Sequence, residues 1–121
     1  MDRFFFTAGA IAAFIAVALG AFGAHSLKTK ISADMLEIFE VGVRYQMYHA
    51  FALFAVAWAI ARWPDVNLTA AGWSFIIGIV IFSGSLYLLS FTGIRWFGAI
   101  TPIGGLAFLA GWAILVWSLN R

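Results

Sequence analysis

The sequence predicts an all-α integral membrane protein, a four-helix bundle with an amphipathic interfacial helix between spans 1 and 2. Three observations carry this. The 121 residues are 64% hydrophobic and only 10% charged, whereas a soluble domain needs roughly a quarter of its residues charged to cover its surface. Mean hydropathy is +1.01, which leaves no polar face for water. Four stretches also lack Asp, Glu, Lys and Arg altogether: 4–27, 45–61, 66–94 and 96–120. A helix rising about 1.5 Å per residue crosses the hydrocarbon in roughly 20 residues. In lipid an unpaired backbone group costs several kcal/mol, which excludes loops and open sheets as spans. One transmembrane domain, 1–121, is expected, with spans near 4–24, 45–62, 71–91 and 99–119 and the lipid bilayer as first partner.

Composition excludes other classes. There is no cysteine, so a disulfide scaffold, thiolate metal site or thiol chemistry is out. The net charge of +2 comes from scattered residues with no basic run, so nucleic acid is not an expected partner.

Span 1 resembles a signal peptide only superficially. Cleavage after Ala24 would place bulky Phe22 where a small residue is wanted, so a retained helix is expected. Its Ala8, Ala12, Ala16, Gly20 and Ala24 recur every four residues, and small stripes let helices approach closely in lipid. Gly104, Ala107 and Gly111 form a shorter stripe in span 4. Packing within one bundle is the plainer role and a subunit interface the alternative; a homo-oligomer is the expected assembly.

The polar segment 32–44 reads as an amphipathic surface helix that can run into span 2. Ser32 can cap it, with Asp34 near the positive end of the dipole. Met35, Leu36, Phe39 and Val43 fall on one side, and Glu37, Glu40 and Arg44 on the other. Trp63 and Pro64 end span 2. Span 3 closes at Thr92-Gly93. Span 4 either starts with Thr101 as N-cap and Pro102 as first helical residue, or runs from Trp96 with a kink at Pro102. Counting by connections, Arg3, Arg62 and Arg121 lie on one membrane face and Lys28, Lys30, Arg44 and Arg95 on the other. Three against four is too small a difference to orient the chain, although it leans loops 1 and 3 toward the cytoplasm.

Span 2 points to where function resides. Its purely apolar part, 50–61, rises only about 18 Å, so His49 and Gln46 must sink below the membrane surface and find partners among helices. Chain direction gathers His25, Arg44, Tyr45, Gln46, Tyr48, His49, Tyr87, Arg95 and Thr101 at one end of the bundle. A transport or small-ligand-binding role centred on His25, Gln46, Tyr48 and His49 is expected, with the ligand unknown. The alternative is a structural or accessory protein assembling with itself or with larger complexes. No cofactor is expected; haem or a metal between His25 and His49 is the alternative, since neutral imidazole suits both. No span holds a carboxylate for proton coupling. Ser26 beside His25 is a sequence neighbour rather than an activated nucleophile, so an enzyme is not expected. Arg44 and Arg95 could hold a lipid head group, or snorkel and pair with Glu37 or Glu40.

Four ordered motifs, Gly20-Ala21-Phe22-Gly23-Ala24-His25, Tyr45-Gln46-Met47-Tyr48-His49-Ala50, Gly84-Ser85-Leu86-Tyr87 and Thr101-Pro102-Ile103-Gly104-Gly105, closely resemble the family called domain of unknown function 423. That family includes small bacterial inner-membrane proteins and the eukaryotic transmembrane protein 256. The resemblance implies a four-span helical protein of the bacterial inner membrane and carries no biochemical activity.

Overall fold

The computed structural model describes residues 1–121, all helical apart from short connections. Helix α1 is Asp2–His25 and α2 is Ala33–Arg62. Next come α3, Thr69–Gly78, and α4, Gly84–Thr92, joined by a π-helical turn at Ile79–Ser83 into one rod; α5 is Thr101–Leu119. Short 3-10 turns occupy Leu27–Thr29 and Arg95–Ala99. Three stretches, Asp2–Thr29, Thr69–Thr92 and Arg95–Leu119, are long and apolar enough to cross a membrane. At 30 residues α2 is longer than any of them, but the polar 45–49 segment dilutes its hydropathy.

The helix boundaries follow local chemistry. Ser32 Oγ accepts a hydrogen bond from the Met35 amide at 3.2 Å, capping α2 with Asp34 in its first turn. From there the helix runs without a break to Arg62. Residues 33–44 are therefore the first turns of α2, not a separate interfacial helix. They keep the expected two-sidedness, with Phe39 buried and Glu37, Glu40 and Arg44 exposed. Gly93, with φ of 71°, ends α4 in the left-handed conformation that a side chain would strain. Thr101 is the first residue of α5 and makes no side-chain cap. Its hydroxyl turns inward, and Pro102 sits in the first turn, where no amide is missed.

Aromatic rings seated on glycines hold the helices together. A side chain on Gly9 would collide with the Phe54 ring and the Ala50 carbonyl, and one on Gly23 with Phe39, so α1 and α2 pack closely and antiparallel. Along α5 the fit alternates: Gly104 lies against the Phe82 backbone, the Phe108 ring on Gly78, and Gly111 on the Phe75 ring. Phe5 occupies the space over Gly72, and Tyr87 that over Gly42. Such contacts replace the hydrophobic drive that lipid does not supply.

The small-residue stripe of α1 only partly faces α2. Ala12 and Ala16 are buried, Ala8 and Gly20 are half-buried, and Ala24 is exposed. A four-residue repeat advances about 40° per step round a helix of 3.6 residues per turn, so a five-member stripe must drift off one face. Gly9 and Gly23 join the buried set instead. In α5, Gly104 and Gly111 are buried as expected, with Phe108 between them.

Helix α2 and the α3–α4 rod form the central pair. α1 packs on α2, and α5 packs on the rod while touching α2 through His49. The dry core, including Phe5, Leu53, Val56, Leu68, Phe75 and Phe108, is centred on the Arg62 half of α2. The buried polar groups begin one to two turns further along.

Candidate functional site: a polar seam between the helices

One face of α2 carries Phe39, Gly42, Gln46, His49, Leu53 and Val56, all buried. Their alternating spacing of three and four keeps them on one stripe, so Gln46 and His49 are set inward by the same periodicity that buries Leu53.

Gln46 bridges two helices. Its Nε2 donates to the Ala12 carbonyl of α1 at 2.9 Å, and its Oε1 accepts from the Tyr87 hydroxyl of α4 at 2.6 Å. The amide orientation follows from Ala12, whose carbonyl can only accept. Ser83, on the π turn, donates to the Gly42 carbonyl at 2.7 Å. Ser85 donates to the Phe82 carbonyl at 2.9 Å, and the Ser85 and Thr101 hydroxyls share a hydrogen bond across 2.6 Å. That bond ties α4 to α5.

His49 is held on both nitrogens. Nδ1 lies 2.8 Å from the Tyr45 carbonyl, and Nε2 lies 3.2 Å from the Trp112 indole nitrogen. A carbonyl only accepts and an indole only donates, so the ring is neutral and protonated on Nδ1. It stacks on Phe108 with centroids 3.5 Å apart and planes 6° from parallel. No buried side-chain nitrogen or oxygen lacks a partner.

Two grooves flank this seam. One, of about 360 Å³, lies between α1 and the α3–α4 rod, with Gln46 and Tyr87 in its lining. The other, of about 570 Å³, is bordered by Tyr45, His49, Phe82, Gly105, Leu106 and Trp112.

The structure brings Gln46, His49, Tyr87 and Thr101 into the seam and leaves the other sequence candidates outside it. His25, Arg44, Tyr45, Tyr48 and Arg95 are exposed, although Tyr45 gives its carbonyl to His49 and its ring, on the groove wall, packs on Phe82 with centroids 4.8 Å apart. Arg44 pairs with Glu40 at 3.9 Å, both side chains about half exposed, an arrangement worth a few tenths of a kcal/mol. His25 and His49 do not meet. Gly9 abuts Ala50 and Ala12 bonds Gln46, so His49 is level with the segment between them, about 20 Å along α1 from His25. No joint haem or metal site can form between the two imidazoles, and no group of three His, Cys, Asp or Glu side chains converges.

Sequence reasoning overlooked Trp112. It stands about two turns inside the end of α5, away from the interfacial belt that tryptophans favour; although 43% exposed, an indole N–H at that depth faces acyl chains and needs an acceptor. That was the available signal. Ser83 and Ser85 could not be paired from sequence, because their partners depend on the π turn.

Residues 19–105, which contain all four motifs, match the family described as Protein of unknown function (DUF423). The chain is 50% identical over 115 residues to the UPF0382 membrane protein YwdK of Bacillus subtilis, covering 94% of each chain. It is 48% identical over 114 residues to a UPF0382 membrane protein of Staphylococcus saprophyticus, again covering 94% of each. A third relative, from Staphylococcus haemolyticus, is 46% identical over 116 residues, covering 96% of this chain and 94% of its own. No solved structure matches. With the apolar helices, the ordered motifs and near-full-length relatives in agreement, the chain belongs to the DUF423 family of small bacterial membrane proteins.

Proposed function

We propose that this protein is a four-span, non-catalytic component of the bacterial inner membrane that acts by lateral assembly, as a structural or accessory protein. One observation carries the reading: Gln46 and His49 use their polar groups on neighbours within the chain. A transport site needs groups that exchange partners with a solute, whereas this seam is closed on itself and acts as a lock between helices. Support for α2 as the fourth span comes from its packing against α1 and the α3–α4 rod, which shields the groups that lower its hydropathy.

A second reading, transport or small-ligand binding, has one observation in its favour: the groove of about 570 Å³ beside His49. Reconstituted vesicles separate the two. Under the assembly reading, the protein adds no proton or potassium flux to protein-free vesicles. A flux present in the wild type and abolished by His49→Phe or Gln46→Leu in folded protein overturns that reading and establishes transport.

A further inference from the structure

Six helical glycines receive an aromatic ring from the same chain, whereas Gly84 has no packed neighbour within 4 Å of the place where a side chain would begin. Glycine inside a helix costs about 1 kcal/mol relative to alanine, so an open glycine with nothing packed on it stands out. It lies in the wall of the groove of about 360 Å³ between α1 and the α3–α4 rod. Across α1 from that groove the complementary shape occurs. Phe14, at 76% exposure, is the most exposed large apolar side chain, and it rises from a patch containing Ala10, Ala13 and Ala18.

We propose that two copies of this chain form a two-fold dimer in which the Phe14 ring of each seats on Gly84 of the other. The inference rests on the assembly reading and names its partner as a second copy.

Depth supports the match. Phe5 sits on Gly72 and α1 runs in the same direction as the α3–α4 rod, so Phe14, nine residues beyond Phe5, comes within about one helical turn of the level of Gly84, twelve residues beyond Gly72. Two copies inserted in the same orientation, related by an axis along the membrane normal, keep every residue at its own depth. The ring and the open glycine therefore meet without either copy shifting.

Angle supports it too. At about 100° per residue, Phe14 lies about 60° from Ile11 and about 100° from Ile15 around α1, on the side away from α2. When a two-fold axis sets α1 beside its own copy, the flank bearing Phe14 in one chain faces the flank bearing Ile15 in the other. That second flank borders the groove. The contact is made twice, as a self-complementary interface requires. It repeats between chains the ring-on-glycine packing that already joins α5 to the α3–α4 rod.

The absence of native cysteine makes crosslinking a clean test. Phe14→Cys combined with Gly84→Cys should give an oxidant-dependent dimer in native membranes. Phe14→Cys combined with Leu106→Cys, at similar depth on α5, should not. In vesicles, photobleaching counts should show the wild type as dimers. Phe14→Ala should weaken dimerisation by about tenfold or more, the scale of a lost close-packed contact. Gly84→Trp, which fills the space from within, should do the same while keeping the wild-type circular dichroism spectrum. The inference is overturned if the wild type remains monomeric, with or without a lipid held in the groove, or if the two cysteine pairs crosslink equally. A monomer that conducts nothing removes only the partner named here, whereas a conducting protein removes the assembly reading itself.

Discussion

Gln46 illustrates how one side chain can hold three helices. The amide nitrogen is spent on α1 and the oxygen on the Tyr87 hydroxyl, so replacing Gln46 leaves that half-buried hydroxyl without its acceptor. Removing one partner of a buried pair costs more than removing both. Gln46→Leu should therefore lower unfolding free energy in detergent by about 1–2 kcal/mol. Adding Tyr87→Phe should recover part of that loss. The test is a double-mutant cycle followed by denaturant titration. If the second substitution deepens the loss by its full single-mutant cost, the two side chains are not coupled. His49 follows the same logic with different chemistry, since its tautomer is set by a backbone acceptor on one nitrogen and an indole donor on the other.

At the scale of elements, the third rod is the least regular. Its buried residues run Ala71, Gly72, Phe75 and Gly78, then resume at Ser83, Ser85, Leu86 and Leu89. The π turn between them holds the surplus residue that lets both halves face the bundle. Ser83 then reaches Gly42 while Phe82 meets Gly104. Adjacent glycines on α5 test this packing sharply. A side chain on Gly104 would strike the Phe82 backbone, which cannot rotate away, whereas one on Gly105 would stand 3.9 Å from the nearest atom of the Phe82 ring. Gly104→Ala should lose about 1–3 kcal/mol to overpacking, and Gly105→Ala should be neutral or gain up to about 1 kcal/mol. Equal thermal unfolding midpoints for the two variants would show that the rods are not in this register.

For the whole molecule, the proposed four crossings would put both termini and the 63–68 connection on one membrane face. The 26–32 and 93–100 connections then lie on the other. Single cysteines introduced as Asp65→Cys and Arg121→Cys should react with an impermeant maleimide from one side of sealed vesicles, and Lys30→Cys and Arg95→Cys only from the other. If Lys30→Cys and Asp65→Cys label from the same side, α2 does not cross and the fold in the membrane has three spans. Much of this outline was readable in advance. The break at Pro64, the cap at Ser32 and the inward placing of Gln46 and His49 each depend on a few neighbouring residues and on the length of an apolar run. The grouping of His25 with His49 failed for a simple reason: chain direction gives the end of the bundle, whereas depth along α1 is set by which residues of two helices touch.

Local chemistry by itself determined that this chain is helical and lives in lipid, because a nearly uncharged sequence must satisfy its backbone within each segment. It also determined that α2 carries polar groups inward, since a short apolar run cannot leave an amide and an imidazole facing acyl chains. Only the tertiary structure decided that Gln46 meets Tyr87, that His49 meets Trp112 and that rings settle on glycines. Those pairings link residues up to 63 positions apart and depend on the rotation and register of whole helices, which one extra residue in a π turn is enough to change.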